Sequence, residues 1–279
     1  MDTSMPHSIP TRPAVALMAA ITISAAIIAS PAQAAPCGGE FSGWLGIMQR
    51  EAIAAGVSAS TAQSALTGLT PDPKVLSLDR NQRVFRKSFE DFGIPRVQQR
   101  LAKARSLMQR HANLLNRIEQ QYGVPGAVVV AIWGLETDFG TGTGKQSALR
   151  ALVTLAHDCR RTERFQNELI SALKILDRGD LTLSEMRGAW AGELGQTQFL
   201  PSSYLKYAVD FDGNGKRDLI RSVPDVLAST ANYLRGYGWQ RGGSWQEGSA
   251  NFNVLKEWNK SSVYQKTISY FATQLAGGE

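Results

Sequence analysis

The sequence predicts a mainly α-helical fold. Apolar side chains recur at three- and four-residue steps through most of the chain. Alternating runs rich in Val and Thr are nearly absent, and glycines cluster at 140–144, 192–195, 213–215 and 236–243, where the helical patterns stop. In chain order, Phe41, Trp44, Leu45 and Met48 share a helical face that ends near Gly56. Ser58 is placed to cap a short helix reaching Leu66, and PDP at 71–73 breaks the chain. From 94 to 122 the apolar steps predict one amphipathic helix, with Gly123 as its stop. Pro125 suits the first turn of the next, wholly apolar helix. Phe165, Leu169, Leu173 and Leu176 mark a further helix ended by Gly179, and Ser222 with Asp225 resembles a capping box opening a helix over 223–235. Only 252–255 reads as a strand, and there are no repeats or heptads.

The first 34 residues read as a signal peptide: Arg12, an uncharged apolar stretch, then Ala32-Gln33-Ala34 as a small-residue cleavage site. The alternative is an uncleaved anchor. Cys37 invites a lipoprotein reading, but Pro36 stands where a small residue is needed. The two cysteines, Cys37 and Cys159, read as one disulfide in an oxidising compartment, against two unrelated buried thiols. Residues 35–279 are long enough for one large domain or two small lobes, and no later segment is long and apolar enough to span a bilayer. The net charge of +6 favours anionic partners. Outside the cytoplasm these are cell-wall polymers or membrane surfaces rather than nucleic acid, and the bland alternative is a solvated basic surface.

Nine residues without a charge, 127–135, precede Glu136. A carboxylate at the end of such a run is desolvated and faces the unfavourable end of the helix dipole. Both effects raise its pKa. A carboxylic acid protonated near neutral pH is what acid catalysis of glycoside cleavage requires. The alternative is a glutamate that only caps packing. Downstream, Gln196 and Gln198 bracket a threonine, and Phe199, Tyr204 and Tyr207 follow. Amides suit sugar hydroxyl and acetamido groups, and rings suit sugar faces. A polar loop followed by an amphipathic helix from Pro201 would read the same way.

ETDFG at 136–140 matches an E-T-x-x-G motif, and the match continues through AGELGQTQFLPSSYLKYAVDFDGNGKRDL, ANYLRGYGW and, more loosely, FNVLKEWN. Over about 49–264 the chain thereby resembles the B-type lytic murein transglycosylases. The resemblance implies a lysozyme-like catalytic domain with an additional helical lobe, an N-terminal helical part over about 40–120, a periplasmic location and action on peptidoglycan glycan strands as a monomer. It implies cleavage of the MurNAc–GlcNAc β-1,4 bond without a required cofactor. Glu136 would act first as acid on the glycosidic oxygen, then as base on the C6 hydroxyl, leaving a 1,6-anhydro end. Gln198, Tyr233 and Arg161 match substrate-groove positions of the family. Departures occur at Phe85 and Arg164, where the family has tyrosines, and at Glu193, in AGELG for AGAMG.

A hydrolase of the same bond would need a second carboxylate, for which Asp138 and Glu193 are the candidates. A non-catalytic wall-binding scaffold is the third reading. Ser-His-Asp chemistry has little support, since only His111 and His157 follow the leader. No separate wall-binding module is expected after the catalytic region. Finally, Asp210, Asp212, Asn214, Lys216 and Asp218 fit the start of a calcium loop, with Arg221 at the twelfth position where an acid is needed and Asp225 as a stand-in. The alternative is a metal-free turn braced by Arg217 or Arg221.

Overall fold

The structure, a computed structural model, describes residues 1–2, 36–81 and 87–278. The expected leader, apart from Met1 and Asp2, lies outside the described residues, as does Phe85. Twelve helices occur among the described residues, so the mainly helical class is as expected. Helix α1 (Phe41–Ala54) opens where the Glu40 carboxylate accepts from the backbone of Ser42 and Gly43. Ser58 caps α2 (Ala59–Leu66) as expected, accepting from Thr61 N at 3.2 Å. The PDP break is also a start: Asp72 accepts from Lys74 N at 2.9 Å, and Pro73 opens α3 (Pro73–Arg80).

The helix predicted over 94–122 is two helices. Ser88 caps α4 (Phe89–Arg110), and the chain breaks at His111 (φ −104°, ψ 18°) before α5 (Ala112–Tyr122). Both pieces turn an apolar face to the same core, so the side-chain period runs on across a break of one residue. Gly123 ends α5 in the left-handed region, φ 75°. Next come α6 (Gly126–Thr137), α7 (Ala148–His157), which the sequence reading left unassigned, and α8 (Thr162–Asp177). The short strands β1 (Gln146–Ser147) and β2 (Arg187–Gly188) pair antiparallel. Then follow α9 (Pro201–Tyr207), α10 (Val223–Gly236), α11 (Ala250–Trp258) and α12 (Ser262–Leu275).

The predicted strand at 252–255 is therefore wrong: these residues lie in α11, capped by Ser249, with Asn251, Phe252, Val254 and Leu255 buried. Four residues are too few to separate a two-residue period from a helical face. At the start of α10, Ser222 accepts from Asp225 N at 3.3 Å, but the Asp225 carboxylate turns to the preceding loop rather than closing a reciprocal box.

Helix α6 carries no polar face, so it is stable only when covered on all sides. It packs among α4, α5, α10 and α12. All residues from Gly126 to Gly134 are buried. Helices α1, α2, α7 and α9 gather around α8, α3 packs on α7, and α9 meets α10. The stretch about 40–120 thus supplies helices to both groups. Cys37 and Cys159 are joined as expected, Cα–Cα 5.2 Å apart, tying the chain before α1 to the α7–α8 turn. No helix among the described residues is long and apolar enough to cross a membrane.

Candidate active site

Helix α6 ends one residue beyond Glu136, and the ending is built into ETDFG. Asp138 and Phe139 take left-handed conformations, φ 52° and 61°, uncommon for residues with a Cβ. Thr137 Oγ1 donates to the Gln196 carbonyl at 2.5 Å and accepts from Gly140 N at 3.0 Å. A Cβ on Gly140 would collide with Gln196 Oε1, so a glycine is required where the two loops touch. The Asp138 carboxylate faces Arg100 (3.7 Å) and Lys103 (3.8 Å), outside the cleft. It is excluded as the second acid.

Glu136 lines a cleft of about 440 Å3 together with Glu193, Gln198, Phe199, Tyr233 and Trp258. Trp258 Nε1 and Tyr264 OH, from α11 and α12, both donate to Glu136 Oε1 at 2.8 Å. Two donors on Oε1 leave Oε2 to carry the proton. Burial is the main cause of a pKa pushed up to about 7; the Trp258 and Tyr264 hydrogen bonds oppose the shift, and the Glu193 charge adds to it. The side chain is thus an acid at neutral pH, held at one oxygen and free at the other.

The remaining expected residues divide. Gln198 lines the cleft from a left-handed backbone, φ 54°, with its amide nitrogen on the carbonyls of Thr143 (3.2 Å) and Gly195 (2.8 Å); its Oε1 is left to accept. Phe199, Tyr233 and Trp258 form an aromatic wall, with Tyr233 centred 5.6 Å from Phe199 and 4.9 Å from Trp258. The Tyr233 hydroxyl donates to the Glu257 carbonyl at 2.7 Å, joining α10 to α11. Gln196 does not face the cleft. It is buried, accepts from Trp133 Nε1 and donates to the Ile220 carbonyl, both at 2.8 Å, and so locks the motif loops to α6. Arg161 lines a neighbouring cavity, where its guanidinium is taken up, with that of Arg160, by the buried Asp79.

Trp258 and Tyr264 were not singled out by sequence reasoning, although FNVLKEWN contains the first. They lie 122 and 128 residues from Glu136, and nothing local marks them as its partners. Glu193 lines the cleft too, as does Glu257, which is paired with Lys260; the Glu193 Oε2 accepts from Ala191 N at 3.1 Å, and burial raises its pKa against the pull of Arg164 and Arg161. Glu193→Gln removes a negative charge beside Glu136. The Glu136 pKa should fall, so the alkaline limb of any Glu136-dependent activity should move to lower pH while activity near pH 5 changes little. A pH–rate profile checks this, and an unmoved limb would show that Glu193 does not act on Glu136.

In the 210–218 loop, Asp210 accepts from the backbone of Gly213, Asn214 and Gly215, and Asn214 Oδ1 accepts from Lys216 N. Carboxylate oxygens of Asp210, Asp212 and Asp225 lie within 4.8 Å of one another. Asp225 is the third acid of this group, rather than Asp218, whose carboxylate accepts from Ile220 N, Arg221 N and Arg221 Nε. Three converging carboxylates suit a hard oxygen-seeking cation such as calcium.

A helical scaffold that holds a carboxylic acid protonated near neutral pH in an aromatic cleft suits acid-catalysed cleavage of a glycan. The chain belongs to the transglycosylase SLT domain family, whose profile matches residues 40–248. It is 43% identical over 135 residues to the membrane-bound lytic murein transglycosylase B of Escherichia coli (strain K12), a match spanning 48% of this chain and 37% of that protein. The structure resembles SltB3 from Pseudomonas aeruginosa in complex with NAG-anhNAM-pentapeptide, with TM-score 0.81 and 32% identity, covering 86% of this chain and 80% of that one. It also resembles the Escherichia coli lytic transglycosylase Slt35 in complex with calcium, with TM-score 0.73 and 25% identity over 87% of this chain and 96% of that one.

Proposed function

We propose that this protein is a periplasmic lytic transglycosylase that cleaves the MurNAc–GlcNAc β-1,4 bond of peptidoglycan. The observation that carries the reading is Glu136 itself, an acid protonated to about pH 7, pinned at Oε1 by Trp258 and Tyr264 and open to an aromatic cleft at Oε2. Oε2 delivers its proton to the glycosidic oxygen as the bond to C1 breaks, and the MurNAc acetamido group assists at C1. The carboxylate left behind then takes the proton of the C6 hydroxyl, whose oxygen closes on C1. One proton leaves Glu136 and one returns, no water is consumed, and the product ends in a 1,6-anhydro ring. Burial keeps Glu136 protonated before the first step and makes its carboxylate a stronger base in the second, while the two donors stabilise the carboxylate that the first step forms.

Glu193 in the same cleft favours a second reading, hydrolysis, in which it would activate a water. Mass spectrometry of muropeptides after digestion of purified sacculi separates the readings. Anhydro ends support the transglycosylase, reducing ends the hydrolase, and no products a binding scaffold. Residues 1–34 are proposed as a signal peptide; protein recovered from the periplasm should begin at Ala35, and an intact leader there would refute it.

The reaction as written needs no cofactor. We assign to Asp210, Asp212 and Asp225 a weak structural calcium site, which would brace the segment between the Gln198 loop and α10. Calcium at 100 times its Kd should add about 2.7 kcal/mol. For a chain of this size that is roughly 5–10 °C in Tm. Asp212→Ala should remove the calcium-dependent part without removing activity at low temperature. A Tm indifferent to millimolar calcium and to chelator would make the loop a plain turn, braced at Asp218 by Arg221.

A further inference from the structure

The aromatic wall continues past the rim of the cleft. Tyr233 stands in the wall beside Trp258, and one helical turn further along α10 the Tyr237 ring packs on it, centres 4.7 Å apart. Helix α9 runs out the same way: Ser203 lines the cleft, and Lys206 and Tyr207 follow one turn beyond it. Tyr207 is centred 5.0 Å from Tyr233 and 5.5 Å from Tyr237, so the two helices carry one group of rings outward. Their close approach is built in. A Cβ on Gly236 would collide with the Tyr207 ring, and Asn232 Nδ2 donates to the Tyr207 carbonyl at 2.9 Å. Tyr207 and Tyr233 are buried, whereas Tyr237 is 39% exposed. Lys206 is exposed beside it, its Nζ 5.0 Å from the Tyr207 ring centre and 5.9 Å from that of Tyr237.

An exposed ring standing alone is ordinary protein surface. This one extends the wall of a site whose proposed substrate is a polymer. A glycan strand is longer than a bounded cleft, so it must pass over the rim. A ring offers its face to the apolar face of a sugar, and an ammonium offers donors to hydroxyl and carbonyl oxygens. Ordering costs are low, because Tyr237 is already packed on Tyr207 and Tyr233. We propose that Tyr237, with Lys206 beside it, forms an outer saccharide subsite that binds the glycan strand beyond the cleft and makes long strands better substrates than short ones. This rests on the glycan-cleaving reading above. The subsite touches no reacting atom and works through binding.

The test uses glycan oligomers of increasing length, released from purified sacculi with their peptides and separated by chromatography. The readout is the ratio of kcat/KM on long strands to that on the shortest oligomer cleaved. In the wild type this ratio should reach about 10, the size of one good aromatic contact. In Tyr237→Ala it should fall towards one, mainly through KM. Tyr237→Leu, which keeps apolar packing but not the ring face, should lose it as well. Tyr237→Trp should keep it, and Lys206→Gln should reduce it. A ratio near one in the wild type overturns the inference alone. So does an unchanged ratio in Tyr237→Leu, including one that accompanies an equal loss on every length, since Tyr237 would then only support Tyr233 in the cleft wall. Failure of the wild type to cleave any length overturns the glycan-cleaving reading, and the inference with it.

Discussion

Glu136→Gln is expected to lower turnover by at least about 10²–10⁴-fold, the usual worth of one general acid/base, while raising stability at alkaline pH. Both effects have one cause. In the folded chain Glu136 keeps its proton to about pH 7, whereas an unperturbed glutamate loses it near 4.5. Between those values the native state binds more protons than the unfolded state, so stability falls as pH rises through the window. Above pH 7 the wild type carries the full cost of an ionised, buried carboxylate, on the order of 3 kcal/mol. Glutamine keeps an acceptor for Trp258 and Tyr264 and has no charge to bury. The variant should therefore melt higher than wild type at pH 8, and the difference should shrink towards zero by pH 4. Thermal unfolding across that range, beside muropeptide assays, measures both halves. A variant that keeps substantial activity would remove Glu136 from the chemistry. One that loses activity and is destabilised equally at every pH would mean that the side chain serves packing alone. Asp138→Asn, outside the cleft, should be mild, and damage as great as at Glu136 would contradict the single-acid reading.

The acid was legible in the sequence because its environment is local. The charge-free run that precedes it is the helix that buries it, and burial dominates its pKa. Its hydrogen-bond partners were not legible. Trp258 and Tyr264 reach Glu136 only after α11 and α12 have packed, and α11 was misread as a short strand. Gln196 shows the converse difficulty. Its pairing with Gln198 around Thr197, ahead of Phe199, Tyr204 and Tyr207, suggested a sugar contact, yet the amide is spent on Trp133 and Ile220. A polar residue in a motif marks a constraint, and only packing tells whether the constraint is on substrate or scaffold. The division of the helices into two groups also escaped local pattern, since α4 and α5 follow α3 in sequence but join α6 and α12.

Reduction of the Cys37–Cys159 disulfide should produce the second large effect. The bond closes a loop with a sequence separation of 122 and joins the segment before α1 to the turn between α7 and α8. In the chain-entropy description such a cross-link withholds about 4–5 kcal/mol of freedom from the unfolded state. For a chain of this size each kcal/mol moves Tm by about 2–4 °C, so reduction should lower it by roughly 10–20 °C. The effect on the cleft should be small at temperatures where the fold persists, because Glu136, Trp258 and Tyr264 are held by helices on the α6 side. Cys37→Ser with Cys159→Ser should match the reduced wild type in both Tm and low-temperature activity. Two free thiols titrated in unfolded, unreduced protein would refute the bond. A Tm unchanged by reduction would mean that packing of α1 against α7 and α8 alone confines this end of the chain, with its loop entropy already limited by residual structure in the unfolded state.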